Sequence, residues 1–218
     1  MASAQTILIT ILASAALIAV LIVWHQAATQ QSTSPDLLPS EVELDGPLTP
    51  EEQTVMNPEI INAANPTATI RTNYGDIVLE LFGSEMPITV SNFVTLAEDG
   101  FYDNTKFHRV IPNFMIQGGD PNTRSDNEAI YGTGGPEYTI PDEFVEGEQL
   151  TNARGTIAMA NTGQPNSGGS QWFINLVDNT GLDFNQEPLA SKHPVFGRVV
   201  EGMDVVDTIG AVETKSRD

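Results

Sequence analysis

Apolar residues fall along this chain in three regimes, and each predicts a different kind of structure. From Thr6 to Trp24 the run TILITILASAALIAVLIVW carries no charge; as a helix rising 1.5 Å per residue it would span roughly 28 Å, the thickness of a bilayer core. The run exceeds the usual apolar core of a secretory signal and only MASAQ precedes it, so a single-pass anchor is favoured over a cleaved leader, with a poor cleavage site open near Gln26-Ala27-Ala28. From His25 onward the periodicity is lost. Ser34-Pro35, Leu38-Pro39, Gly46-Pro47, Asn57-Pro58 and Asn65-Pro66 punctuate a stretch rich in Gln, Ser, Thr and Glu, which reads as a flexible linker. A short amphipathic turn near Pro50 to Met56 is its one exception. The predicted organisation is a stub over 1–5, an anchor or signal over 6–24, a linker over 25–66, and one folded domain over 67–218.

Within that domain the pattern switches to short, closely spaced segments. Thr67 to Thr72 and Asp76 to Phe82 are rich in β-branched and apolar residues on either side of Asn73-Tyr74-Gly75, which predicts a hairpin. Pro87 then occupies a position tolerated in a first helical turn. Val90, Phe93, Val94 and Ala97 follow at helical spacing, and Gly100 is placed to end the helix. Apolar runs at Lys106–Ile111, Phe114–Gln117, Thr156–Ala160, Trp172–Leu176 and Val195–Val200 are separated by Gly, Asn and Pro clusters, and a second helix is predicted from Met203 to Ile209. Many short strands with two helices indicate a mainly β fold built on a closed or sandwiched antiparallel sheet.

Composition narrows the chemistry. The chain has 218 residues, 40% of them hydrophobic, enough to bury one real core, and it has no cysteine, which excludes disulfides, zinc-thiolate sites and thiol nucleophiles. With 29 acidic against 9 basic residues the formal charge is −20, so nucleic acid and anionic lipid surfaces are not expected partners. The excess reads as solubility, or as adaptation to a salty exterior where such charge is screened. No Lys or Arg precedes Arg71, so orientation rests on the acidic bulk after the apolar run, which agrees with export. The expected location is the cell membrane with the domain on the extracytoplasmic side, or secretion after cleavage.

Three stretches carry the candidate chemistry: FHRVIPNFMIQGGDP (Phe107 to Pro121), MANTGQPNSGGSQWF (Met159 to Phe173) and KHPVFG (Lys192 to Gly197). Arg109 supplies a permanent cation with a rigid fork of donors. Phe114, Met115, Phe173 and Leu182 are suited to line a dry recess. Strand alternation places Met115 and Gln117 on one face, an odd position for an amide in a core unless it serves a ligand. His108, on the opposite strand face from Arg109, reads as a satisfied core histidine, and His193 is the better site candidate. No metal constellation, phosphate loop or hydrolase elbow is present: Gly132-Thr133-Gly134-Gly135 lacks the lysine of a phosphate loop, and Ser170 leads into an apolar strand.

The three stretches resemble those of cyclophilin peptidyl-prolyl cis/trans isomerases, over roughly Thr67 to Arg217. The resemblance implies a closed eight-stranded antiparallel barrel capped by two helices. It further implies a catalytic Arg109 supported by Gln117, a proline pocket of Phe114, Met115, Phe173, Leu182 and His193, and a substrate backbone held by Ala160, Asn161 and Gln171. Proline-containing polypeptides are the implied substrates, without cofactor or metal, for a monomer that aids the folding of exported proteins. A holdase that binds proline segments without turnover is the alternative. Two departures stand out. Gly181 occupies a position where many members carry a large aromatic, which puts cyclosporin-type binding in doubt, and the sequence stops at ETKSRD where members usually add a strand: either the chain is a fragment or the barrel keeps an unpaired edge, with lower stability expected if the truncation is real.

Overall fold

The computed structural model describes residues 8–12, 65–186 and 192–214. Eight strands form one antiparallel sheet: β1 (Leu8–Leu12), β2 (Thr67–Thr72), β3 (Gly75–Leu81), β4 (Arg109–Ile111), β5 (Met115–Gly118), β6 (Thr156–Met159), β7 (Trp172–Asn175) and β8 (Val195–Glu201). Their order is β1-β2-β3-β8-β6-β7-β5-β4, which leaves β1 and β4 as two ends. The expected closed barrel is therefore corrected to a curled half-barrel. Closure needs a ladder along a terminal strand, and β4 is only three residues long, followed at once by Pro112, which has no N–H to donate.

Helix α1 (Pro87–Glu98) and helix α2 (Met203–Gly210) flank the sheet as predicted. Gly100, at φ +69°, follows α1 in the left-handed region that stops a helix cheaply only in glycine. At the other end of α1 the N-cap residue Met86 makes no side-chain cap. Glu143, 55 residues away, replaces it: its carboxylate accepts from Ile88 N at 3.1 Å, Thr89 N at 2.6 Å and Thr89 Oγ1 at 2.7 Å. An anion at a helix N-terminus satisfies orphan donors and the dipole together.

Trp172 anchors the core. Its side chain is fully buried, with the rings of Phe93, Tyr102 and Phe107 set edge-on at 6.4, 6.4 and 5.7 Å. Gly119 passes so close that an added Cβ would lie 2.3 Å from Ser170 O and 2.9 Å from the indole nitrogen, and its φ is +84°. Glycine is thus required at this point of QGGDP on two counts.

Only Leu8–Leu12 of the expected anchor lies among the described residues. Leu8–Leu12, inside the expected anchor, is a strand paired antiparallel with β2, Leu8 opposite Arg71 and Leu12 opposite Thr67. Leu-Ile-Thr-Ile-Leu has the β-branched content that suits a strand, and the outer edge of β2 offers a row of backbone groups to pair with. β1 thus covers the outer edge of β2, and among the described residues the free edges of the sheet are those of β1 and β4. Among the described residues no helix is long and apolar enough to cross a membrane. The rest of 6–24, the linker with its turn near Pro50 to Met56, and 215–218 lie outside the described residues apart from Asn65 and Pro66.

Candidate active site

β4 and β5 are joined by a tight turn in which Asn113 takes φ +59° and Phe114 N donates to Ile111 O at 3.1 Å. This turn sets the register: Arg109 pairs with Gln117, and Gln117 pairs in turn with Phe173 on β7. Directly opposed residues share a face, so Arg109, Gln117 and Phe173 form one row across three adjacent strands. Met115, two residues before Gln117, lies on the same face. The alternate positions Val110, Ile116 and Ile174 make a parallel row that is buried in the core. Burial of that inner row holds the outer row in place.

The outer row lies under a cavity of about 180 Å³. Arg109, Met115, Gln117 and Phe173 line it from the sheet, with Phe114 beside them at the turn. Ala160 and Asn161, just after β6, and Leu182 and His193, both between β7 and β8, complete it. Nine of the ten residues that the resemblance singled out thus meet around one hollow. The tenth, Gln171, does not line it. Its Nε2 donates to Gly132 O and Gly134 O at 3.1 and 2.7 Å, and its Oε1 accepts from Gln117 Nε2 at 3.0 Å. That leaves Gln117 Oε1 turned toward Arg109 Nη1, at 3.5 Å.

The arginine is exposed on one side, and its guanidinium carbon stands 6.0 Å from the centre of the Phe114 ring. A cation so placed is attracted by the ring face yet keeps part of its hydration. His193 lines the hollow as well, edge-on to Phe173 at 5.2 Å. Its Nδ1 lies 2.9 Å from Met159 O and carries the proton donated to that carbonyl. Burial holds the imidazole below its ordinary pKa; the hydrogen bond to Met159 opposes this and the nearby charge of Arg109 adds to it. His108 is half-buried and does not line the cavity.

The loop wall depends on residues that no pattern in the sequence marks. Asp183 accepts from Thr151 Oγ1, Asn152 N and Asn152 Nδ2 at 2.6, 2.7 and 2.9 Å. Asn152 Nδ2 also reaches His193 O at 3.1 Å, while His193 N donates to Leu182 O at 3.1 Å. These partners lie 31 and 41 residues from Asn152 in the chain, which no local motif spans. Asn161 Nδ2 donates to Lys192 O, closing the same loop from the other side. At Gly181 an added Cβ would meet nothing within 4 Å, so this position is open. Among the described residues no group of His, Asp and Glu could hold a metal ion.

Comparison with known proteins agrees with this geometry. The family model for cyclophilin type peptidyl-prolyl cis-trans isomerases matches residues 67–218. A peptidyl-prolyl cis-trans isomerase of Acinetobacter baylyi is 44% identical over 153 residues, covering 70% of this chain and 76% of the relative. Peptidyl-prolyl cis-trans isomerase B of Escherichia coli is 48% identical over 147 residues, covering 67% and 85%. A solved Cryptosporidium parvum cyclophilin type isomerase, crystallised in the presence of the dipeptide Ala-Pro, superposes with a TM-score of 0.57 at 32% identity, covering 68% of this chain and 87% of that one.

Proposed function

The chain belongs to the cyclophilin-type peptidyl-prolyl cis-trans isomerase family and is an isomerase of X-Pro bonds; from that premise we propose how its own residues divide the work. The observation that carries the reading is the meeting of Arg109, Gln117 and Phe173 in one cross-strand row beneath a hollow that combines apolar walls with a cation and amides.

Rotation of the peptide bond faces a barrier of about 18–20 kcal/mol because the nitrogen lone pair is delocalised in the planar amide. In the twisted state the proline nitrogen regains that lone pair. A fixed donor cation aimed at it stabilises the transition state more than either planar ground state, the condition for a rate gain. Phe114, Met115, Phe173 and Leu182 seat the ring, and Ala160 and Asn161 hold the chain beside it. Arg109 then supplies the charge. Gln171, tied to two carbonyls, orients Gln117, and Gln117 turns its oxygen toward the guanidinium; Gln171 is in this reading a positioning residue. A holdase needs the hollow but not this line of amides aimed at a cation, so turnover is the better account. The experiment is a cis/trans assay on a proline tetrapeptide, wild type against Arg109→Ala; undiminished activity in the variant would refute the mechanism.

The setting is also proposed. Nineteen uncharged residues from Thr6 to Trp24 support a membrane tether, with the acidic domain outside and exported chains as substrates. Without a bilayer, Leu8–Leu12 has the edge of β2 as its alternative partner. The mass of the membrane-associated protein separates a retained anchor from a cleaved leader, and recovery of the full-length chain only in the soluble fraction would refute the tether.

A further inference from the structure

Two loops next to the cavity present their aromatic side chains to solvent as a stacked pair. Phe144 is 38% exposed, beside Val145 at 41%, and its ring lies on that of Phe184 with centroids 5.3 Å apart and planes at 18°. Each ring adjoins a residue that is tied down. Glu143, before Phe144, caps α1 through three hydrogen bonds, and Asp183, before Phe184, accepts three from Thr151 and Asn152. The pair is therefore presented by two anchored points of the fold, although both rings sit on loops.

Its position relates it to the substrate path. Phe184 follows Leu182, a wall of the proline cavity, by two residues. Phe144 follows Asp142 by two, and Asp142 lines a second, much smaller hollow of about 10 Å³ together with Thr89, Ile140 and Asn161. Asn161 belongs to both hollows. The two loops thus each contribute to one hollow, and the ring stack joins them two residues beyond Asp142 and Leu182. An extended chain advances about 3.3 Å per residue, so a polypeptide with its proline seated and its backbone passing Asn161 brings residues a few positions away toward this platform.

We propose that the Phe144–Phe184 pair is a distal substrate subsite that selects an aromatic side chain a few residues from the isomerised proline. Rigid aromatic surface binds another ring at low entropic cost, and the acidic surroundings, with Glu146 and Glu148 exposed nearby, disfavour an acidic residue there. This rests on the isomerase reading for the course of the substrate.

The test is a set of decapeptides with one central proline in which a single Phe replaces Ala at each position from two to five residues on either side. Each peptide is measured for binding by fluorescence anisotropy and for turnover as kcat/KM. Wild type is expected to favour Phe over Ala roughly three- to tenfold at one or two positions on one side of the proline. Phe144→Ala is expected to abolish that preference and Phe144→Tyr to retain it, each variant being checked for an unchanged melting transition. A flat scan in wild type, which needs no variant to fold, overturns the subsite, as does a preference that survives Phe144→Ala. Position-dependent binding without turnover overturns the isomerase reading alone, and turnover without position dependence overturns the subsite alone.

Discussion

The cavity has two walls built on different physical principles. The sheet wall, Arg109–Gln117–Phe173, is set by backbone register: hydrogen-bonded ladders fix which residues oppose one another, and the buried row Val110, Ile116 and Ile174 fixes which face they occupy. The loop wall, lined by Leu182 and His193, has no strand ladder among its described residues. A carboxylate and two amides hold it by side-chain to backbone and side-chain to side-chain bonds, Asp183 and Asn152 from behind and Asn161 from the front. Chemistry that tolerates little displacement sits on the rigid wall. The wall that must admit different polypeptides is the one that polar side chains hold together.

Four changes probe this division, from the largest expected effect to the smallest. Arg109→Ala removes one preorganised charged donor from the sheet wall. It is expected to lower kcat/KM by about 10²–10³ while leaving the melting temperature within error, because the side chain is exposed and the ladder does not depend on it. A matching loss of stability would show that the two walls are not separable in this way.

Asp183→Ala is the converse on the loop wall. It strands donors on Thr151 and Asn152, and the expected result is a loss of about 1–3 kcal/mol in unfolding free energy with a raised KM and a largely retained kcat. Chemical denaturation with steady-state kinetics reads both. A fall confined to kcat would mean that the loop takes part in the chemistry.

Gln171→Ala tests whether the relay to Arg109 matters. It frees Gln117 to turn, and kcat is expected to fall roughly fivefold, the worth of about one hydrogen bond, with KM unchanged.

The smallest effect concerns pH. His193 has a folded pKa below its unfolded value of about 6.5, because burial penalises the charged ring. As pH falls, the unfolded chain therefore takes up the proton first. The stability contributed by the neutral ring is complete above the unfolded pKa and is lost as pH drops below it. Wild type is expected to lose more unfolding free energy than His193→Gln between pH 7.5 and pH 5; equal losses would place the pH dependence elsewhere.

Much of this architecture was legible in the chain. Alternation placed Met115 and Gln117 together, the hairpin at Asn73-Tyr74-Gly75 and both helices lie where their periodicity put them, and nine residues matched to the family motifs line one hollow. These signals are local: strand period, helix period, turn residues and contiguous motifs. What the chain did not make legible was non-local. Nothing in Thr6–Trp24 reveals that Leu8–Leu12 pairs with residues some sixty positions on, because an apolar β-branched run suits a bilayer helix and a sheet edge equally well. Nor does the number of strands say whether a sheet closes on itself.

Sequence alone determined that this chain carries a cysteine-free, strongly acidic β domain in which Met115 and Gln117 share one strand face. Tertiary structure decided the rest: that Glu143 caps a helix 55 residues away, that Gln171 orients rather than lines, that Asp183 and Asn152 build the loop wall, and that the half-barrel stays open. The physical reason is range. Periodicity and turn chemistry act over a few residues and survive in one dimension, whereas long-range hydrogen-bond partners, sheet closure and the meeting of two loops depend on which distant segments folding brings together.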